Sequence, residues 1–555
     1  MRSAPRTVLL TATVAAALAA AAPATAATPS KIRVGGPSAP ADSKVAIVGT
    51  DRDLAGKHYV VVNGSGDTVA SGSLARAPGR PAPWGHAYAA PLKGASSPGS
   101  YRVRVAAIDQ TSRPWIVRGA GSGDAIDRIL DFFRWNADGR SSPFHDPSHL
   151  HDATVKGGPY DGRRFDLVGG WMDAGDMIHF AQTTAYSAAV LEAAARVDPG
   201  HGAKLDAVAE VGIRWLRKAH PRPNLFVAQV GDERDHDQGF RDPADDDSSG
   251  IPGIAYRRAY PGIPSGGVGG DIAGKAAAAL ALAYDRTHDP VDLRQARQWY
   301  AAGKAAARPT PRLPGGFYHD RNWKDSMASG AAALYRSTGE HSYLTEALAY
   351  LHSSQSEPDG TLGVVDSFAS FAAADICGAL GAPGLGNATQ RAFACGRLRE
   401  FGSIAVEQAG HNAFGMPGFF TWGTTAQNGA SGALAGLAGC ATGLARGRVV
   451  AAGARDYLLG RNPFGASFVV GYGPSSPLHP HHWASVFGTA LPTGAVVGGP
   501  APIQQIRDQG FHVDGPFDSS FAAYEDRRAD YVTSEPALDY AAATILLLAT
   551  LDAGC

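Results

Sequence analysis

Sulfur is scarce in this chain: 4 cysteines and 5 methionines stand in 555 residues, and no two cysteines form a CxxC pair. That leaves a cysteine-built zinc site with little support. Net charge is missing too, since 50 Lys and Arg face 51 Asp and Glu, for a formal charge of −1 and a pI near 7.0. The balance excludes the basic stripe of a nucleic-acid binder and the polybasic patch of a membrane-surface protein, and it suits an uncharged substrate. Beyond the N-terminal run, no segment reaches the roughly 20 apolar residues of a spanning helix, so neither nucleic acid nor membrane is expected as a partner and the mature chain is expected to be soluble.

What is present begins with Arg2 and Arg6, an Ala- and Leu-rich run from Val8 to Ala22, and Ala24-Thr25-Ala26. That order reads as a secretory signal over residues 1–26 cleaved before Ala27, with an N-terminal anchor as the competing reading. Export permits disulfides, so Cys377, Cys395, Cys440 and Cys555 can form two bridges in three pairings, and loop length favours Cys377 with Cys395 and Cys440 with Cys555. The length suggests a small domain and a large one.

Two textures divide the remainder. Short alternating runs at Lys31 to Val34, Lys44 to Val48, His58 to Val62, Val69 to Ser73 and Tyr101 to Ile108 predict strands, separated by turn chemistry such as Asn63-Gly64 and Pro98-Gly99-Ser100. Their spacing is that of an immunoglobulin-like β-sandwich. From about residue 124 the chain turns to Ala- and Leu-rich helical segments, among them Ile272 to Tyr284, Ser326 to Thr338, Ala430 to Leu444 and Pro536 to Leu551. Small residues three and four apart allow close helix packing, and the long polar loops between them describe a helical toroid or barrel. Two loop-rich stretches, Asp232 to Gly270 and Gly471 to Pro502, are long enough to predict function.

Asp173 and Asp176 lie three apart in Gly169-Gly170-Trp171-Met172-Asp173-Ala174-Gly175-Asp176. That spacing can aim both carboxylates at one water, one as base and one as orienter, although one Asp could instead cap the helical run that follows. Glu535 stands before Pro536 at the head of the last apolar helix, where a helix dipole would hold it charged, whereas a general acid needs its pKa raised. His479, His481 and His482 adjoin aromatics, a pattern suited to sugar hydroxyls and faces; a metal is the competing reading.

The motif from Gly169 to Asp176 resembles the GGWxDAGD signature of glycoside hydrolase family nine, whose second Asp is the base and whose first holds the water. Asp456 to Pro463 is similar to that family's DYxLGRNP segment, and Ser467 to His482 to its histidine signature. Tyr524, Asp526, Tyr531, Glu535 and Ala537 match the spacing of the signature that carries the proton donor. Weaker echoes are Asp235-His236, Asp325 and Trp422-Gly423. The resemblance implies an immunoglobulin-like sandwich over residues 27–118 and a six-hairpin (α/α) barrel over residues 119–555. It implies Asp173, Asp176 and Glu535 as catalytic residues, with substrate contacts from His481, Tyr540, Trp483, Trp171, Asp526 and Tyr531. The implied reaction is inverting hydrolysis of a β-1,4-glucan by a secreted monomer, with base and acid carboxyls roughly 6.5–9.5 Å apart.

Departures cluster where the family grips sugar. Trp483 replaces an Arg, Ser475 an Asn/Lys/Arg, Met172 an aromatic, His179 a Lys and Phe240 a Trp, while Ser534 and Ala541 replace Asn. Losing Arg removes a planar fork of donors, which a Trp cannot replace although it can stack on a sugar. These changes admit an exo-acting glycosidase on gluco- or glucosamine-type oligosaccharides, or a glycan-binding protein without turnover. The chemistry implied requires no cofactor. Calcium accompanies many members and zinc some, but Lys275 stands where an acidic calcium ligand is expected, and Ser148-His149 lacks the thiol of a zinc site.

Overall fold

The computed structural model describes residues 29–118, 122–318, 320–354, 368–487, 491–513 and 522–555; the expected secretory signal lies outside them. Nine strands between Lys31 and Val117 form two antiparallel sheets. One runs Lys31–Arg33, Val45–Thr50, His86–Pro91, Ala75–Arg76; the other runs Thr68–Ser73, His58–Val62, Gly99–Val105, Gln110–Thr111, with Trp115–Val117 on the start of Gly99–Val105. Alternate residues turn inward, so Ile32, Val48, Val61, Tyr88, Val103 and Trp115 meet between the sheets. This is the expected immunoglobulin-like sandwich. Its central strand His86–Pro91 escaped the sequence reading because its Ala-rich pattern has weak strand preference, which pairing with Val45–Thr50 overrides. The run expected to extend to Ile108 ends at Val105, where a 3₁₀ turn follows.

Among the described residues, twelve helices of nine residues or more make two concentric rings. Ala181–Val197, Gly270–Thr287, Lys324–Thr338, Ala369–Cys377, Thr424–Thr442 and Leu538–Asp552 form the inner ring, each touching the next, and the last closes on the first. The outer six lie against them, giving the six hairpins of an (α/α) barrel. All four helical segments read from the sequence are inner helices. Enclosed on nearly every side, they bury small and polar residues as well as apolar ones, so burial does not follow a single amphipathic stripe. Close approach demands small residues: a Cβ at Gly274 would lie 2.2 Å from the Ser326 carbonyl carbon. Disulfides Cys377–Cys395 and Cys440–Cys555 form as expected, the first joining an inner to an outer helix and the second holding the C-terminus to Thr424–Thr442.

Barrel topology gathers the segments that precede inner helices at one end. The chain around Asp173 and Asp176 precedes Ala181–Val197, and Glu535 precedes Leu538–Asp552, which packs beside it. Residues remote in sequence therefore share one face. The sandwich sits against the barrel through Asp42, which pairs with Arg455 and Arg448, and through Arg33, which donates to the Pro463 carbonyl (2.7 Å). Asp456, in the segment similar to DYxLGRNP, is buried between Arg455 and Arg461, so that segment builds the joint between the two parts.

Candidate active site

Two left-handed glycines, Gly169 (φ 97°) and Gly170 (φ 84°), start the turn that carries Asp173 and Asp176. The Asp173 amide donates to Ile178 O (2.9 Å), and Leu538 N donates to Asp173 O (3.0 Å), tying the turn to the last inner helix. Neither Asp caps a helix: strand His179–Phe180 intervenes, and Ala181–Val197 has no side-chain cap. Glu535 likewise departs from its expected place at a helix start. It is extended (φ −75°, ψ 130°), and the helix begins at Leu538, so Glu535 stands outside the first turn in which a helix dipole acts.

The three carboxyls meet around Gly175. Its N–H donates to Oε1 of Glu535 (3.3 Å), and a Cβ there would lie 2.1 Å from the His481 carbonyl oxygen. Only glycine admits so close an approach. Asp173 is buried and accepts from the Tyr318 hydroxyl at 2.7 Å, while Asp176 and Glu535 keep partial exposure. Oδ1 of Asp173 and Oδ1 of Asp176 have no hydrogen-bond partner among the described residues. Each Asp thus keeps one oxygen outside the protein's own hydrogen bonding.

Burial pushes the Asp173 carboxyl up to about 6 against the opposing hydrogen bond from Tyr318. Burial, then the charges of Glu535, Asp173 and Asp235, hold Asp176 well above the carboxylate range. Burial and the Asp173 charge push Glu535 up to about 8. Three neighbouring acids cannot all ionise cheaply, so they titrate as a group with at least one proton retained near neutrality.

His481 and its neighbours are only partly as expected. His481 Nδ1 donates to Arg528 O (2.7 Å) and its ring packs between Phe240 and Tyr531, leaving Nε2 as the ring nitrogen on offer. Tyr540 is half-buried beside Tyr318, whose own titration feels it, and its ring lies against Gly423. Tyr531 stacks on Trp422, which is 40 % exposed, making an open aromatic platform. Asp526 is a brace, accepting from the backbone of Leu478 (2.8 Å) and His479 (2.9 Å). The three histidines do not converge on an ion: His479 faces Asp526, His481 faces Arg528, and His482 bonds Asn136.

Two expected sugar contacts are corrected. Trp171 is fully buried, edge-on to Phe133 and under Gly212, where it anchors the turn from beneath. Trp483, 2 % exposed, packs with Trp135, Met172 and Met177, so it cannot offer a face to sugar and does not replace the missing Arg as a clamp. The substitutions at Met172 and Trp483 make one apolar cluster under the turn.

Cation chemistry is already supplied by side chains where the sequence left metals open. Lys275 is buried with its Nζ 3.0 Å from Asp320 and in the field of Asp325 and Asp271. Asp138, His149 and His179 converge closely enough to hold an ion, but Arg257 donates into that cluster, to Asp138 at 3.0 Å, as well as to Asp152, Asp235 and Met177 O. Neither set therefore fits the calcium or zinc that the resemblance implies, since each already encloses a cationic side chain. In the acidic loop, Asp235 and Asp246 are bound by Arg241 and Asp232 by Arg258, which leaves those carboxylates committed within the protein. Tyr318, Asn136 and Arg257 carried no motif in the sequence. A tyrosine after Gly315-Gly316-Phe317 and an asparagine ending a helix look like ordinary turn residues.

A family model described as glycosyl hydrolase family 9 matches residues 123–548. The chain belongs to this family. Among curated relatives, Endoglucanase 5 of Arabidopsis thaliana is 27 % identical over 489 residues, covering 78 % of this chain and 74 % of that protein. Endoglucanase 14 of the same plant is 28 % identical over 79 % of this chain and 95 % of its own length. Among solved structures, a metagenome-derived family 9 endoglucanase aligns with TM-score 0.75 at 23 % identity, over 95 % of this chain and 99 % of that one, which supports the two-part fold. The family 9 match spans the helical barrel and includes all three acids.

Proposed function

We propose that this family 9 chain is a secreted endoglucanase that hydrolyses β-1,4-linked glucan with inversion of configuration. The observation that carries the reading is the meeting of Glu535 with the Asp173–Asp176 turn across Gly175, on a face that also bears the Trp422–Tyr531 platform. The names of the curated relatives support the substrate class.

In this mechanism ionised Asp176 takes a proton from the water that Asp173 helps hold, and the water oxygen bonds to the anomeric carbon. The glycosidic C–O bond breaks as Glu535 gives its proton to the leaving oxygen. Asp176 ends protonated and Glu535 ionised, and solvent exchange restores both. Tyr318 fixes Asp173 through the hydrogen bond to its Oδ2, so Oδ1 is left for the water. His481 and Tyr540 line the reacting sugar. No metal is needed for any step, and Lys275 and Arg257 serve as internal cations.

The test follows a soluble mixed-linkage or carboxymethyl glucan by viscosity and reducing ends, with the product anomer read by proton NMR. A fast viscosity drop with the α-anomer formed first is expected, and Asp176→Asn or Glu535→Gln should lower kcat by about 10²–10⁴-fold. Steady release of one small product would replace endo by exo action. A first-formed β-anomer, or full activity in Asp176→Asn, would sink the mechanism.

A further inference from the structure

Behind the acids lies a second layer that the mechanism does not use. Asn136 is fully buried at the C-cap of helix Gly123–Trp135. Its Nδ2 donates to Met172 O (2.9 Å) and to Ala174 O (2.9 Å), the carbonyls on either side of Asp173, and its backbone O accepts from Met172 N (2.8 Å). Its Oδ1 bonds to Nε2 of His482 (2.9 Å). The His482 Nδ1 in turn accepts from Ala484 N (3.1 Å), so Nε2 carries the ring proton and donates. Two carbonyls on one side and an N–H on the other fix the amide orientation as well.

The backbone beside His482 grips both halves of the site. His481 N donates to Ser534 O (3.0 Å), next to Glu535, and Trp483 N donates to Gly175 O (3.1 Å), next to Asp176. Three consecutive residues thus touch the acid's segment, the turn through Asn136, and the turn directly. We propose that Asn136 and His482 are positioning residues that set the catalytic-base turn in register with Glu535, joined to it through the segment His481 to Trp483. The inference rests on the proposed mechanism for its catalytic consequence, but the register itself is a structural claim that can be read without turnover.

The chemistry of the pair favours this role over simple filling. Burial, with His481 and His145 nearby, pushes His482 down to about 3, so the ring stays neutral and its donor and acceptor stay assigned across the working pH range. Only an amide at position 136 can donate twice toward Met172 and Ala174 and still accept from His482. An Asp there would turn carboxylate oxygens toward two carbonyls, which must then move apart. A shift of about 1 Å in a catalytic group can cost on the order of 10²-fold in rate.

The test compares full-length wild type, Asn136→Asp, His482→Ala, His482→Gln and the double variant Asn136→Asp/His482→Ala, with circular dichroism checking the fold. Hydrogen exchange over residues 172–176 should rise in Asn136→Asp and His482→Ala while the inner helices stay protected. On soluble glucan, kcat should fall about 100-fold in Asn136→Asp and about 10-fold in His482→Ala, with KM within about 2-fold. His482→Gln, whose amide can donate to Asn136, should recover most of the loss, and the double variant should be no worse than Asn136→Asp alone. Unchanged exchange in the turn, multiplicative losses in the double variant, or kcat unaltered in folded variants would overturn the proposal. If Asn136→Asp does not fold, the His482→Ala and His482→Gln pair decides by the same readings. Wild type inactive on every glucan would instead overturn the proposed function, while exchange would still decide the register.

Discussion

The Gly175 N–H points at Oε1 of Glu535 from 3.3 Å, so the residue just before Asp176 is also the one that touches the acid. A backbone donor lowers a carboxyl pKa by favouring its charged form, yet Glu535 is pushed up to about 8 because burial and the Asp173 charge outweigh that bond. The consequence is an acid that still holds its proton at neutral pH.

The pH–rate profile should therefore be a bell. Activity rises as the Asp pair loses the proton that blocks the base, a limb lifted because burial and the charges of Glu535, Asp173 and Asp235 hold Asp176 well above the carboxylate range, and falls as Glu535, pushed up to about 8, loses its proton. The two limbs are properties of the coupled group. Glu535→Gln should abolish the alkaline limb in whatever activity remains on an aryl glycoside with a good leaving group, which needs little protonation. A limb that stays in place in that variant would reassign the acid.

Stability carries the opposite sign. The folded pKa of Glu535 lies above its ordinary value of 4.5, so the folded protein holds a proton that the unfolded chain releases. Stability is then lost as pH rises from about 4.5 through about 8. Glu535→Gln should raise Tm at about pH 9 and leave it nearly unchanged at about pH 4, with a gain on the order of 1 kcal/mol because partial exposure screens the carboxyl. Equal Tm for wild type and variant across that range would show that the carboxyl is not perturbed.

Tyr318→Phe isolates the orienting hydrogen bond. The phenol donates to Asp173 at 2.7 Å and lowers a pKa that burial raises, so its loss should lift the acidic limb to higher pH. A hydrogen bond to a charged group is worth about 1.5–3 kcal/mol, and kcat should drop about 10-fold or more with KM little changed. A rise in KM at unchanged kcat would place Tyr318 in sugar binding.

Much of the fold and of the acid trio is legible in the sequence, and what is not shares a physical cause. Asp173, Asp176 and Glu535 lie in motifs whose spacing survives, and the inner helices announce themselves by composition. The direction of a side chain from an irregular turn is set by tertiary contacts that no local pattern carries: Trp171 and Trp483 point into the protein rather than toward sugar. Glu535-Pro536 has the pattern of a helix start because Pro536 suits a first helical position, but Pro536 instead bridges to Val497 in extended backbone. Tyr318 reaches Asp173 across 145 residues and Asn136 reaches the Met172 carbonyl beside it across 36, through contacts that no local pattern encodes.

The two tryptophans should separate under mutation. Trp422→Ala removes an exposed ring stacked on Tyr531 and should raise KM for soluble glucan about 10-fold with little effect on Tm. Trp483→Ala empties a buried cluster and should cost about 3–5 kcal/mol of stability. Trp483→Phe should restore most of that with KM near wild type. A large KM effect in folded Trp483→Phe would return that ring to the sugar site.

The joint between sandwich and barrel gives a last prediction. Asp42 of the sandwich is buried against Arg455 and also meets Arg448, while Arg455 further binds Asp456. Removing one member of a buried charge pair typically costs about 3–5 kcal/mol because its partner is left desolvated, so Asp42→Ala should lower Tm by several degrees. The affected helix Gly447–Leu458 bears none of the three acids, so kcat at temperatures well below the transition should be retained. Calorimetry of the full chain should show the sandwich and barrel unfolding in one transition that shifts in Asp42→Ala. Two separate transitions, with the barrel's unmoved by the substitution, would mean that the sandwich contributes nothing to the stability of the catalytic part.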